Sequence, residues 1–290
     1  MPAGYEAIAS IATSRNYEVW DAWSRERGCR CVAKLVRAER RDHAPAHRRL
    51  LREGELLLAA SHPHLVRAYE LHRGPEPVLI METLGGESVS RLIERRGGPL
   101  ESRDVAMLGL QLGSALRYLH GRGVLHLDVK PGNAIAEAGQ AKLIDLSLAR
   151  PPGPAPAGAG TWAYMAPEQV RGEELSAAAD VWGLGALLYE AATGEAAFDD
   201  SAGWTTDESA ETLSTYDGPF PQLEAPADRL AARLRSGLGP VIDACLNASA
   251  EARPAIDEVL SELVGVAEIP AARRMKELSD PPHGDLIPRP

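Results

Sequence analysis

The stretch HLDVKPGN, His126–Asn133, sets an acid, a base, a proline and an amide within eight residues. Asp, Pro, Gly and Asn are also the residues that turns use for backbone reasons, so the octapeptide alone reads equally well as an ordinary polar loop. Its flanks decide. Upstream, Val105, Leu108, Leu112, Ala115 and Leu119 form an apolar stripe at helical spacing, with Ser102 as the expected N-cap. Downstream come a short strand at Lys142–Ile144 and the stretch PPGPAPAGAG (151–160), too rich in Pro, Gly and Ala to be regular. A buried helix from Ala178 to Thr193 follows, then two or three shorter helices to about Val266. The tail from Ile269 to Pro290 holds five prolines and is expected to be loosely held.

Before residue 85 the pattern is mostly extended. Glu18–Trp23, Cys31–Val36, Leu65–Leu71 and Pro77–Thr83 read as β-rich runs, interrupted by one helical stretch, His47–Ala60. Gly85-Gly86 then punctuates. A sheet-rich half, a larger helical half and polar motifs at the seam describe an α+β protein of two lobes with a cleft between them.

Composition narrows the function. The 290 residues are 44% hydrophobic and 25% charged, ordinary for a globular chain. The longest apolar run, Val181–Tyr189, is far short of the roughly 18 residues a spanning helix needs. MPAGYEAIAS lacks the basic flank of a secretory signal, and three cysteines (Cys29, Cys31, Cys245) suit a reducing compartment, so a cytoplasmic location is expected. Cys29 and Cys31 have no second Cys or His pair at zinc spacing and read as small apolar strand residues. A net charge of -10 argues against nucleic acid as the main partner. The acidic excess sits after residue 84, with 18 Lys+Arg against 30 Asp+Glu. Arg outnumbers Lys 27 to four, so each of Lys34, Lys130, Lys142 and Lys276 merits attention as a place where a compact ammonium is needed.

The order of motifs resembles the eukaryotic-type, or Hanks-type, Ser/Thr protein kinases, which also occur in bacteria, over about residues 8 to 265. CVAKLV matches the strand bearing the phosphate-binding lysine, here Lys34. LLREGELLL matches the helix whose glutamate pairs with that lysine: Glu53, with Glu55 as runner-up. HLDVKPGN matches the catalytic loop, DLS at Asp145–Ser147 stands at the magnesium motif, and GTWAYMAPE ends the activation segment. ADVWGLG supplies Asp180 on the buried helix, and EARPAI supplies Arg253, the partner of Glu168. Any one of these is weak; seven in order are strong. The resemblance implies the two-lobed kinase fold, with N-lobe and hinge at 1–84, C-lobe at 85–268 and a tail at 269–290.

The resemblance also implies roles. Lys34, oriented by Glu53, would hold the ATP phosphates, and Asn133 with Asp145 would hold magnesium, manganese being an alternative. Asp128 would accept the proton of a protein hydroxyl, Lys130 would neutralise the moving phosphoryl group, and Thr161 would bond into that pair. Met81 would be the gatekeeper, backbone groups of Glu82 and Leu84 would read the adenine, and Val19, Ala33 and Ile135 would sandwich it. Each is also explicable alone, as core packing, a plain ion pair or a turn acid.

Three departures stand out. IATSRNYEVW contains no glycine, and gapless alignment on Val19 puts Ala12, Ser14 and Tyr17 at the three glycine positions, with Tyr17 as a displaced tip aromatic in the alternative register. DLS replaces DFG, and Ser147 is expected to restrict backbone that glycine would leave free. Leu127 replaces the arginine that clamps a phosphorylated activation loop, while Ser147 is the only hydroxyl residue between Asp145 and Gly160. Gly132 stands where basic-directed relatives carry glutamate. An active protein kinase without loop-phosphorylation control is therefore expected, with a nucleotide-binding or scaffolding pseudokinase as the alternative and a small-molecule phosphotransferase behind both. Oligomeric state is set by none of these features.

Overall fold

The structure, a computed structural model, describes residues 1–198, 220–230, 234 and 237–267. The expected tail at 269–290 lies outside the described residues. Three strands, β1 (Tyr5–Thr13), β2 (Tyr17–Ser24) and β3 (Cys29–Val36), lead into helix α1 (Ala44–Ala59), followed by β4 (Ala68–His72) and β5 (Val78–Glu82). The five strands form one antiparallel sheet in the order β1-β2-β3-β5-β4. Sequence reading missed β1 because eight of its nine residues are exposed, so no buried face imposed an alternating pattern. It also began α1 at His47; the helix starts at Ala44, with the His43 ring accepting the Ala46 N–H.

Period-two alternation divides this sheet into two faces. Val36, Leu79 and Met81 join the main core with Leu50 and Leu57 of α1. Ala22, Cys31, Ala33, Val78 and Ile80 form a separate small core on the other face. Lys34, between Ala33 and Leu35, therefore faces α1.

The chain then runs through β6 (Glu87–Ser88), α2 (Val89–Arg96), α3 (Ser102–His120), β7 (Ala134–Glu137) and β8 (Gln140–Leu143). Ser102 is the first helical residue of α3, and Glu101 rather than Ser102 occupies the cap position. Strands β6, β7 and β8 make a second small sheet in that order. Strand β8 and the segment before β4 are stitched together by main chain: Leu143 N–H donates to His64 O at 2.9 Å and Leu143 O accepts Val66 N–H at 2.9 Å. This fixes where the chain leaves β8, two residues before Asp145.

The remainder comprises β9 (Gly153–Pro154), α4 (Pro167–Arg171), β10 (Glu174–Leu175), α5 (Ala177–Thr193), α6 (Pro221–Glu224), α7 (Leu238–Cys245) and α8 (Ile256–Val266). The Pro/Gly/Ala-rich stretch is not wholly irregular, since β9 pairs with β10. Helix α5 is apolar on every side and buried accordingly, with Trp182 at 1% exposure. Its glycines permit two close approaches. A Cβ on Gly183 would stand 3.0 Å from Val129 Cβ, and one on Gly185 only 2.6 Å from Cys245 Cβ. Among the described residues no helix is long and apolar enough to cross a membrane.

Glu168 of α4 and Arg253 form a bidentate pair at 2.5 and 2.8 Å in the interior. Arg253 also donates to Asn247 O at 2.8 Å and Ala178 O at 2.9 Å, and its guanidinium lies 4.9 Å from the centroid of a Trp182 ring. Removing one partner of such a pair leaves the other buried and unpaired, at a cost of about 3–5 kcal/mol. Arg253→Ala is expected to lose stability in that range on urea unfolding, and a loss below about 1 kcal/mol would contradict the geometry.

Candidate active site

Three charged side chains from separate elements meet at the seam. Lys34 Nζ on β3 lies 3.0 and 2.8 Å from the two carboxylate oxygens of Glu53 on α1 and 3.0 Å from Asp145 Oδ1 beyond β8. Glu53 is wholly buried and also accepts the Leu146 N–H at 3.2 Å. Glu55, the runner-up, is exposed and pairs instead with Arg73. Asp145 takes a left-handed φ of 65°, unusual for a residue with a Cβ, and its Oδ1 accepts the Ser147 N–H at 3.0 Å. Ser147 itself is not at positive φ, so a side chain is accommodated there without backbone strain. Leu146 fills its apolar pocket at 1% exposure.

The second cluster surrounds Asp128. Its Oδ1 accepts the Thr161 hydroxyl at 2.7 Å and the Thr161 N–H at 3.1 Å, and its Oδ2 accepts Asn133 Nδ2 at 2.7 Å. Lys130 Nζ stands 3.2 Å from the same Oδ2 and 2.5 Å from Thr161 Oγ1. The loop bends at Leu127, φ 65°, and buried Asp180 of α5 holds that bend by accepting the N–H groups of His126 at 2.8 Å and Leu127 at 2.7 Å. His120 Nε2 lies 2.7 Å from Asp180.

Lys34, Glu53 and Asp145 thus form one cluster and Asp128, Lys130, Asn133 and Thr161 a second, linked through main chain by the Ile144 N–H donating to Asn133 O at 2.9 Å. Met81 is buried on β5, facing the cleft side of the sheet, while Glu82 and Leu84 follow it at the crossing between lobes. The Glu82 carboxylate is anchored by the Arg67 N–H at 2.8 Å and by Lys142 at 2.5 Å, a contact that composition hinted at only by singling out Lys142. Val19 and Ile135 are half-buried and lie outside both apolar cores, as a pair open to a ligand would.

Two assignments need correction. Ala33 belongs to the small core on the outer face of the sheet, so it cannot border a ligand in the cleft; strand alternation gives that place to Val32, which shares the face of Lys34. Ser14 is engaged in closing the β1–β2 hairpin, its N–H donating to Tyr17 O at 2.8 Å and its hydroxyl accepting the Tyr17 N–H at 3.1 Å. It does not present a free N–H to a phosphate. Ala12 pairs with Val19 across the strands, which supports the gapless register, and leaves Tyr17 at the start of β2 rather than at a tip. Tyr17 is 8% exposed; its hydroxyl donates to Ala46 O of α1 at 3.1 Å and its ring centroid lies 4.9 Å from Lys34 Nζ. Sequence reading registered its bulk but not its inward orientation.

Two carboxylates share one ammonium, and the charges respond. Burial alone would depress the Lys34 pKa, but Asp145 and Glu53 outweigh it and raise it, keeping the ammonium charged. Asp145 is lowered despite burial, chiefly by Lys34. Burial pushes Glu53 up to about 7, against the pull of Lys34, and the Asp145 charge adds to the rise. The contact with Lys34 favours ionised Glu53, so the elevation comes from burial first and from the second carboxylate, Asp145, after it. Both contacts of the Asn133 side chain are donated by Nδ2, leaving its oxygen for a hard cation beside Asp145. Among the described residues no cluster of three or more His, Cys, Asp or Glu could hold a metal. One carboxylate, one amide oxygen, water and a ligand's own phosphates are nevertheless a donor set that suits magnesium.

Because the folded pKa of Glu53 exceeds the ordinary 4.5, its contribution to stability is complete below 4.5 and is lost as pH rises through about 7. Asp145 is ionised in both folded and unfolded chains across that window and adds no slope. Asp145→Asn is therefore expected to lower the Glu53 pKa, read by carboxyl 13C NMR, and to lessen the fall of stability between pH 5 and pH 8. An unchanged Glu53 pKa would show that the two carboxylates are not coupled.

Comparison with known proteins agrees with this geometry. The family model described as protein kinase domain matches residues 8–264. The chain is 30% identical over 272 residues to serine/threonine-protein kinase PknA of Mycobacterium tuberculosis, covering 86% of this chain and 62% of that protein. It is 30% identical over 280 residues to PkaA of Streptomyces coelicolor, covering 92% of this chain and 49% of the relative. Similarity to PknB of Mycobacterium leprae is 33% over 179 residues, 58% of this chain and 29% of that one. The chain thus spans about half to three fifths of the length of its longer-matching relatives. With the match running from β1 to α8 and the charged motifs converging in one cleft, the chain belongs to the protein kinase domain family, with the two-lobed α+β fold of that family.

Proposed function

We propose that the chain transfers the γ-phosphoryl group of ATP to serine or threonine hydroxyls of a protein, and does so without phosphorylation of its activation segment. The observation that carries this reading is the surroundings of Asp128: one carboxylate bonded at once to Thr161, Asn133 and Lys130. A hydroxyl placed against that carboxylate would be oriented and would give up its proton as the new O–P bond forms, while Lys130 offsets the charge on the moving group. Lys34 would take the α- and β-phosphates, held in place by Glu53. Asn133 and Asp145 would hold magnesium, or manganese, which neutralises phosphate charge when bound. Adenine would lie at Glu82 and Leu84, beneath Met81 and between Val19 with Val32 and Ile135.

The segment from Arg150 to Thr161 is tied down by main-chain bonds and by side chains that need no phosphate, which supports independence from phosphorylation. Arg150 exchanges backbone bonds with Leu125 at 2.8 and 3.1 Å, and Gly153–Pro154 pairs with Glu174–Leu175. Leu127, 4% exposed, offers no charge for a phosphate. Free cysteines and a net charge of -10 fit a cytoplasmic protein whose partner is another protein rather than nucleic acid. One observation favours the rival pseudokinase reading: the Tyr17 ring lies against the ammonium that phosphates would need, and Ser14 has no N–H to offer them.

Three outcomes are expected of purified protein. Millimolar ATP with magnesium raises the melting temperature, and Lys34→Met or Asp145→Asn reduces the shift, because a ligand that binds only the folded state stabilises it by mass action. Radiolabel passes from ATP to a general protein substrate and is lost in Asp128→Asn. Phosphatase treatment leaves this activity in place. A melting shift without transfer would select the pseudokinase, and activity abolished by phosphatase would refute phosphate-independent order.

A further inference from the structure

Gln169 lies on α4 directly after Glu168, is 2% exposed, and uses its whole side-chain amide. Nε2 donates to Leu127 O at 3.0 Å and to Ala159 O at 3.0 Å, while Oε1 accepts the Ala166 N–H at 3.1 Å. Its main-chain oxygen also accepts the Gly158 N–H at 2.8 Å. Leu127 immediately precedes Asp128, and Ala159 stands two residues before Thr161, whose hydroxyl and N–H both bond Asp128. One buried amide therefore joins the two strands of chain that shape the surroundings of the catalytic carboxylate. The Leu127 carbonyl is available to it because Leu127 is held at a left-handed φ. Nearby Gly160, φ 151°, is the bend that brings Ala159 within reach; a Cβ there would stand 2.6 Å from Met165 and 3.3 Å from Gln169 Nε2.

We propose that Gln169 is the positioning residue of this site: an uncharged clamp that sets the activation segment against the catalytic loop. Resting on the kinase reading above, it supplies the cross-link that a phosphate and an arginine would otherwise make. A neutral amide suits this place. Two carbonyl oxygens converge on it, so two N–H donors are required, and a buried carboxylate would meet both oxygens with repulsion and no donor.

The test uses the full chain with Gln169→Glu and Gln169→Met, both close in volume to glutamine, beside the wild type. In wild type, NMR should find the Gln169 side-chain amide protons protected from solvent exchange. Both variants should show faster hydrogen exchange in the peptide 150–161 with β3 and α5 unchanged, and kcat reduced about tenfold or more with KM for ATP within about twofold. Gln169→Glu should recover part of its kcat as pH falls, because a protonated carboxyl regains one donor, whereas Gln169→Met should keep the wild-type pH profile. Unprotected amide protons in wild type, or unaltered exchange in a variant that folds, would overturn the clamp. So would a loss expressed in KM alone. If both variants unfold, the wild-type amide protection decides. If wild type transfers no phosphate, the kinase reading fails by itself, while the exchange measurements still judge the clamp.

Discussion

A single ammonium, Lys34, is shared by two carboxylates that reach it from different directions, and most of the site's arrangement follows from that sharing. Desolvating a charge is expensive, so Lys34 can be buried only where its partners are already in place. Glu53 can be there only if α1 packs against the sheet, which Leu50 and Leu57 drive through the main core. Asp145 can be there only if the chain leaves β8 at a fixed point, which the Leu143 main-chain bonds ensure. The pair is therefore less a source of net stability than a condition that couples sheet, helix and the segment after β8. The left-handed φ at Asp145 is a strained conformation that this over-determined contact sustains.

The loop that carries Asp128 is held by a comparable device, a buried carboxylate. Asp180, buried on α5, satisfies two adjacent N–H groups at a bend that a leucine would not choose unaided. Burial would raise its pKa, but the His120 bond, the electrostatic pull of His120 and His126 and the His126 N–H outweigh it, and the pKa is lowered. Gly183, one turn along the same helix, lets Val129 pack close, so the loop is fixed from beneath by both charge and contact. Asp128 and Asn133 inherit their positions from α5, and the helix owes its depth to being apolar all round.

Much of this was legible in sequence, and what was legible shares a property. Lys34, Glu53, Asp128, Asp145, Asp180 and Arg253 are charged residues in places where burial demands a partner, so spacing and residue type carry the information. Ala33 was misplaced because an apolar residue beside a lysine carries no such signature; only the alternation of faces, visible once Met81 and Ile80 are seen on opposite sides, puts Val32 and not Ala33 on the Lys34 face. At Ser147 the conformation taken, outside the left-handed region, depends on a φ that sequence does not print. Gln169 went unnoticed for the opposite reason: a neutral amide in a helix is common, and its use depends on two carbonyls brought in from distant segments.

The glycine-free hairpin, with Ala12, Ser14 and Tyr17 at the three glycine positions, replaces freedom of the main chain by fixed contacts. Glycines at such a loop let main-chain amides approach a phosphate, at the entropic cost of a mobile loop. Here Ser14 closes the hairpin with its own N–H and hydroxyl, and Tyr17 plants its hydroxyl on α1 while its ring covers part of the Lys34 ammonium. The ring stabilises the cation by an interaction on the order of 1 kcal/mol, well below what a nearby phosphate could offer the same charge. Phosphate should therefore prevail over Tyr17 at Lys34, but with fewer amides to assist it. What is given up in ligand contacts returns as order, because the Tyr17–Ala46 bond ties the hairpin to the helix that carries Glu53. Through that bond the hairpin rests on the same helix face as the Lys34–Glu53 pair, so strand, hairpin and helix share one set of contacts.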